Sequence, residues 1–425
     1  MQELVRIFKS TRTRVVILIA IILPVFMAVL ASEFNDANYL DSNGIIVPLH
    51  GTAALKFIEE SSAEGNGEVT VERLKDALST YQHLYDQYGA DPLGSDFPLD
   101  TYWQEVQSIR PLLRMITQTY STSEEPADLR KISMDDLDSF YEDVENKLSD
   151  VMKSDQELRD PAMISKAQQI YHKVEIPFYI SHGYTRDAFD YIEFTILILV
   201  ILSAALAAPV FSERYSSGED SVLRCTLYGR GKLVTTTVLA ELTVVTVMYF
   251  IGIGLHLFIS DKIFGIETLK ESVQSLYAVY SLPNMDLLGL QIALALAGWL
   301  YCLAVTAMSL CISAKVTETS TSLVLSLIIV ILPTLLYSAG GGVNWLLALF
   351  PSASVGLSNN MLMSLVDLRF LMLGDRAFWY PMVLVFTATV EFFLFGCIGN
   401  FGYFFHEARK IRRSLKEQND HQTGS

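Results

Sequence analysis

Phe194–Ser212 reads FTILILVILSAALAAPVFS, 19 residues without a charged side chain. A helix rises about 1.5 Å per residue, so such a run nearly covers the ~30 Å hydrocarbon layer of a bilayer, and it has no polar face to turn toward water. It reads as a membrane-spanning helix, and similar runs lie on both sides of it. Val15–Ala31 is uncharged over 17 residues, Leu233–Ser260 is interrupted only by Glu241, and Leu287–Ala314 runs for 28. Ala377–Phe405 carries a single charge, Glu391, at its middle. The sixth candidate lies in Thr319–Val366, which is uncharged over 48 residues and therefore too long for one crossing. Ala339-Gly340-Gly341-Gly342 breaks it after a span ending near Ser338.

The second half of that run is irregular. Trp345–Phe350 is apolar but short, Pro351 ends it, and Asn359 and Asn360 interrupt the stretch between Pro351 and the charged pair Asp367 and Arg369. It reads as a re-entrant or interfacial helical hairpin over 343–373, whose backbone needs shelter from lipid by protein or a water-filled cavity. The chain is thus expected to be an all-α membrane protein with six spans, the last five lying within 194–405.

Composition agrees. Of 425 residues 51% are apolar and 18% charged, with a mean hydropathy of +0.33. The net charge of -16 argues against a nucleic-acid partner. That charge is concentrated in Ser32–Glu193, which has 31 acidic and 13 basic residues, a balance of -18 that leaves +2 for the rest. None of Cys225, Cys302, Cys311 and Cys397 lies there, so this 162-residue stretch is no disulfide scaffold, and at its size it can bury a core unaided.

Orientation is read from the basic residues that flank the spans. Arg6, Lys9, Arg12 and Arg14 precede the first span at 15–31, Arg214, Arg224, Arg230 and Lys232 separate the second and third, and Lys315 comes after the fourth. The tail over 406–425 adds Arg409, Lys410, Arg412, Arg413 and Lys416. This gives 14 basic residues in 58 on one side, against 4 in 36 in Asp261–Asp286 and Asp367–Arg376. Both termini are expected in the cytoplasm of a multi-pass cell-membrane protein, with the acidic domain over 32–193 outside. A basic start and the run ending Val29-Leu30-Ala31 also fit a cleaved signal peptide, which would leave five spans and the same topology.

Within the acidic domain the apolar period is helical. Val71, Leu74, Leu78, Tyr81 and Tyr85 recur at spacings of three and four, and Ser133-Met134-Asp135-Asp136 reads as a helix start before Leu137, Phe140, Tyr141, Val144 and Leu148. A further helix is predicted from Tyr102 to Tyr120, bent at Pro111, with breaks at Gly89–Pro98 and Ser121–Pro126. The domain's many aromatic residues read as core. His50, His83, His172 and His182 show no metal-ligand spacing.

No phosphate-binding loop, nucleophile elbow, zinc-protease or C-x-x-C motif occurs, so no nucleotide, hydrolase or thiol-redox site is visible. The remaining chemical candidates are the intramembrane carboxylates. Glu391 should face the bundle interior or be protonated, and Glu241 lies about two turns from the cytoplasmic end of its span, where snorkelling or local water can serve it. For both, a structural hydrogen bond competes with a role in a transport pathway.

Some local features have a family pattern. Leu4–Arg14, with Val5, Ile7 and Phe8 among basic residues, within a segment over 1–14, precedes a span containing Leu23-Pro24. Phe211-Ser212-Glu213-Arg214 is followed by Gly218-Glu219, Leu223, Leu227 and Tyr228-Gly229-Arg230-Gly231-Lys232. In this layout, over roughly 260 residues, the chain resembles the membrane subunit of an ATP-binding-cassette exporter of the ABC-2 type. The resemblance implies an amphipathic helix on the inner membrane face and a coupling helix in the loop over 213–232. Glu213, Arg214, Gly218, Leu223, Leu227 and Arg230 are its candidate contacts. It also implies outward re-entrant helices around Pro351. From the residues alone, Val222, Leu223 and Leu227 beside charges fit either a short amphipathic helix for a partner's groove or a solvated loop.

The expected function is therefore a permease subunit, not itself an enzyme and binding no cofactor of its own. ATP would be hydrolysed by a separate cytoplasmic ABC ATPase, and a second copy or related permease would complete the path. Expected cargo is a lipid-like, peptide or antibiotic compound. The alternatives are a membrane-anchored extracellular sensor or envelope-binding protein, and an intramembrane enzyme using Glu391.

Overall fold

The computed structural model describes residues 2–122, 125–219, 222, 231–338, 344–358 and 360–404. The basic N-terminal stretch forms α1 (Gln2–Lys9), and an extended backbone at Ser10 separates it from α2 (Thr11–Leu30). The segment expected over 1–14 is therefore shorter, and Thr11–Arg14 form the first turn of the span. In α1, Leu4 and Ile7 pack on the helix bundle while Val5 and Phe8 stay exposed among Arg6 and Lys9. This is the pattern of a helix lying at an interface.

The acidic stretch begins with a hairpin, β1 (Asp36–Leu40) and β2 (Ile46–His50), closed by the Asp41 carboxylate, which accepts from the Asn43 and Ile45 backbone N–H groups. Helices α3 (Gly51–Ser62) and α4 (Val71–Tyr88) come next. Thr70 caps α4 by accepting from Arg73, and Gly89 ends it at φ 66°, a conformation glycine adopts without steric cost. The predicted face of α4 is buried at Leu74, Leu78 and Tyr81. The helix predicted from Tyr102 to Tyr120 is divided. Tyr102–Val106 forms a wide π-helical turn, and α5 (Arg110–Tyr120) starts afresh with Pro111 in its first turn, where no N–H is needed. Pro111 thus starts a helix and does not bend one. Ser133 is not the helix cap expected: its Oγ accepts from the Asp135 N–H before a tight turn over Asp135–Ser139, and α6 (Phe140–Ser154) starts only after that turn, with α7 (Pro161–Tyr171) completing the helical set. Two-residue strands β3 (Gly67–Glu68) and β4 (Tyr179–Ile180) pair across the domain and bring its two ends together.

α8 (Arg186–Ala207), capped by Thr185, begins eight residues before the uncharged run that marked it. Glu193, taken from sequence as the end of the acidic domain, therefore sits inside a long apolar helix. After α9 (Ser212–Ser217) come α10 (Gly231–Phe264), α11 (Leu287–Ser313) and α12 (Thr319–Ser338). The hairpin read over 343–373 is helical only in short pieces, ending with α13 (Asn360–Val366). Its last residues form β5 (Phe370–Leu373), paired with β6 (Arg376–Trp379), because Gly374 and Asp375 turn an apolar strand back on itself. α14 (Tyr380–Phe404) closes the described chain. The glycine break at 339–342 and the basic tail at 406–425 lie outside the described residues.

Among the described residues six helices, α2, α8, α10, α11, α12 and α14, are long and apolar enough to cross a membrane, consistent with an all-α, multi-pass membrane protein. α8 lies against α2, α10, α11 and α12 at the bundle centre, and Ile192, Ile196, Leu199 and Val200 are fully buried. The helices close in tightly at Gly298 of α11, where a Cβ would stand 2.4 Å from Tyr249 Oη and 2.6 Å from Ile196 Cγ2. Tyr249 Oη in turn donates to the Ala295 carbonyl at 2.7 Å. Leu18, Ile22, Leu332, Leu335, Phe386 and Phe393 point outward, leaving an apolar belt of the kind lipid covers.

The acidic domain has its own core around Leu78, Leu113, Ile116, Phe140, Val144 and Leu148. Val279 and Leu282, from the segment between α10 and α11, and Leu368, after α13, are buried in that same core. All three segments that charge counting put on one side thus fold into one body at one end of the bundle.

Candidate functional site

At the opposite end of the bundle the sequence-predicted residues Glu213 and Arg214 are carried by α9. Its position is set by Ser313 at the end of α11, whose Oγ accepts from the backbone N–H groups of Phe211 and Ser212 at 3.0 and 3.1 Å, and by Tyr215 Oη donating to the Ala314 carbonyl. Arg214, a loop residue by sequence, is buried, with 1% of its side chain exposed. Its Nη2 donates to Glu3 Oε2 of α1 at 2.7 Å and its Nη1 to Thr237 Oγ1 of α10 at 3.2 Å. One guanidinium therefore ties together α1, α9 and α10. Glu3 Oε2 also accepts from Arg6 Nε at 3.0 Å.

A second, outer link joins Arg12 Nη2 of α2 to Glu213 Oε2 at 3.5 Å, between exposed side chains. Glu241 of α10 is 1% exposed, and its buried Oε1 has no hydrogen-bond partner. Two carboxylates, Glu3 and Glu213, thus pair with Arg6, Arg12 and Arg214. A buried charge with a specific partner costs several kcal/mol to break apart, because the survivor is left without solvent or counter-ion. Chemically the arrangement is a mechanical clasp: a force applied to α9 reaches α1 and α10 through short, charge-assisted bonds.

The other predicted residues are distributed differently. Gly218 ends α9 in the left-handed region at φ 74°, with open space around it. Leu223, Leu227 and Arg230 lie outside the described residues. Glu391 sits on α14 with Oε2 buried and, like Glu241 Oε1, without a hydrogen-bond partner. Pro351 is buried at the start of a one-turn helix, Pro351–Ser354. Thr334 Oγ1 holds that turn through the Ser352 carbonyl at 2.7 Å, and Asn360 Nδ2 through the Ala353 carbonyl at 2.6 Å.

Sequence reasoning missed Glu193. Fully buried on α8, its Oε1 accepts from the Leu362 backbone N–H at 3.1 Å, in the first turn of α13. Gly356, at φ 70°, lies so close to α8 that a Cβ would meet Leu197 Cδ2 at 2.3 Å. The broken segment around Pro351 is thus docked on the bundle's central helix. The available signal was spacing, since Glu193 shares a helical face with Phe189 and Ile196 and adjoins an uncharged run. His256 was missed likewise. It is buried on α10, where its Nδ1 lies 2.9 Å from Thr195 Oγ1 and 3.1 Å from the carbonyl of Pro24. Among the described residues no group of three or more His, Cys, Asp or Glu is placed to hold a metal ion. Compared with protein-family models, with curated proteins and with solved structures, the chain matches none.

Proposed function

We propose that the chain is the permease subunit of an ABC-2 type exporter, with both termini in the cytoplasm and the acidic domain outside the cell membrane. The observation that carries this reading is the Arg214 clasp. An exporter driven from outside its own chain needs a loop that takes up a partner's motion and passes it to the spans, and Arg214 bonds that loop to both α1 and α10. The motion enters through the loop over 213–232, pressed by a cytoplasmic ABC ATPase that binds and hydrolyses ATP. Spans of two permease chains then alternate between inward-open and outward-open states. The segment over 351–366, docked on Glu193, is the re-entrant element beside the exit, and the acidic domain stands over it. The cargo class is a lipid-like, peptide or antibiotic compound.

The test is affinity purification of the tagged chain in mild detergent with mass spectrometry of what accompanies it. A stoichiometric ATPase is expected. Isolation of the chain alone, with only the acidic domain's ligands attached, would instead assign it to sensing or envelope binding.

A further inference from the structure

A cationic cleft opens at the base of the acidic domain. Where that domain meets the bundle, the cleft, of about 430 Å³, is lined by Arg110 and Arg114 from the first turns of α5, by Arg186 from the first turn of α8, and by His182, Glu271 and Asp187. In a domain carrying 31 acidic residues an arginine has many possible counter-ions. Among the described residues, none of these three forms an ion pair. Arg186 donates from Nε to the Leu276 carbonyl at 2.9 Å and from Nη2 to the Tyr277 carbonyl at 2.5 Å, Arg114 Nη2 donates to the Ser275 carbonyl, and Arg110 Nη1 donates to Tyr102 Oη at 3.1 Å. Beyond these neutral acceptors, Glu271 acts on Arg114 through space and the Arg186 guanidinium lies 5.5 Å from the Tyr277 ring centre, so no carboxylate occupies the guanidinium donors directly. Arg114 Nε is buried and has no protein partner.

The two acids on the wall change this little. Asp187 is exposed, as are Arg110 and Arg186, and burial raises the Glu271 pKa well above the ordinary carboxylate value against the opposing charge of Arg114, so three guanidinium groups still outnumber the carboxylates. Two helix N-termini, those of α5 and α8, add positive potential at the same wall.

His182 narrows the chemistry. Asn66 Oδ1 accepts from the His182 backbone N–H at 2.9 Å, which fixes the amide's orientation, so His182 Nδ1, also 2.9 Å away, must donate to it. Nε2 is then an acceptor, and it is buried without a partner. A wall of guanidinium donors beside one lone acceptor matches an anion that still carries a hydroxyl. Inorganic phosphate and phosphate monoesters have that form near neutral pH, and Arg is the side chain whose geometry suits them.

We propose that the cavity bounded by Arg110, Arg114, Arg186 and His182 binds a phosphate group with a protonatable oxygen, either free phosphate or the monoester headgroup of a lipid. The cavity sits where α2 and α10 end and α8 begins, the level at which headgroups lie if these helices cross a bilayer. The inference rests on the cavity alone and does not depend on the transport reading.

The full chain in phosphatidylcholine nanodiscs would be titrated with inorganic phosphate by calorimetry. In a second arm, nanodiscs containing phosphatidic acid would be examined by native mass spectrometry for co-isolated lipid. Phosphate binding in the first arm assigns the free anion, and phosphatidic acid retained in the second assigns the headgroup. Arg114→Gln frees the Ser275 carbonyl and risks misfolding, so Arg110→Gln is the deciding variant: Arg110 is exposed and gives up only its bond to Tyr102. Loss of one charge-assisted contact predicts binding about tenfold weaker or more. If neither probe binds the wild-type chain, or if Arg110→Gln binds unchanged, the proposal falls.

Discussion

Replacing Glu3 by Gln should release α1 from the bundle. Eight residues are too few to hold a helix in water, so protection of the α1 amides from hydrogen exchange measures its docking. Two terms hold it down, the packing of Leu4 and Ile7 and the 2.7 Å bond from Glu3 to Arg214. Breaking a fully buried pair costs about 3–5 kcal/mol. Here Arg214 is 1% exposed but Glu3 is 21% exposed, glutamine keeps an acceptor, and Thr237 still receives one N–H, so about 2–3 kcal/mol is expected. At about tenfold per 1.4 kcal/mol, amides of residues 4–9 should exchange about 30- to 150-fold faster, as read by mass spectrometry on the chain in nanodiscs. Adding Arg214→Met removes the stranded charge, so the double variant should recover at least half of the loss. Unchanged exchange in Glu3→Gln, or strict additivity in the double variant, would refute the clasp.

The packing and the buried polar groups set three further outcomes. Gly298→Ala should lower stability by about 1–3 kcal/mol by overpacking against Tyr249 and Ile196, whereas Gly254→Ala, with nothing within 4 Å, should be neutral or mildly stabilising; paired melting curves separate them. Glu193→Ala strands the Leu362 N–H and should cost about 1–3 kcal/mol, while Glu193→Gln keeps an acceptor and should cost much less; equal losses in thermal unfolding would contradict the acceptor role. Burial, with Arg73 and Arg114 nearby, pushes the His182 pKa down to about 4 from 6.5, so its stabilising contribution is complete above pH 6.5 and is lost as pH falls toward 4. Glu271 acts oppositely, its raised pKa giving stability that is full below pH 4.5 and lost as pH rises through its folded value. Melting temperatures of His182→Gln should therefore fall less than those of the wild-type chain between pH 7 and 4.5.

The spans were legible because lipid leaves one solution, an uncharged helix of about 20 residues, and composition alone records it. Their ends were not. α8 starts at Arg186 because Thr185 caps it and the Leu276 and Tyr277 carbonyls serve the Arg186 guanidinium, and no local run reports that shelter. The two-residue pairing of Gly67–Glu68 with Tyr179–Ile180 carries no periodicity to detect. Among candidate residues, Glu213 and Arg214 were singled out by the resemblance of their loop to the ABC-2 pattern, but the burial of Arg214 was invisible because its partner, Glu3, lies 211 positions away. Glu391 drew attention by interrupting an apolar run. Glu193, at the edge of one, did not, although it is the carboxylate that anchors a neighbouring segment.

The permease reading is tested most directly by ATP hydrolysis in proteoliposomes that contain the chain together with the ATPase purified alongside it. Hydrolysis should depend on the chain and fall to the level of the isolated ATPase when Gly218–Leu227 is replaced by a flexible linker, with Glu3→Gln giving an intermediate loss. Hydrolysis indifferent to the chain, or unchanged by the linker, would contradict coupling through the loop over 213–232.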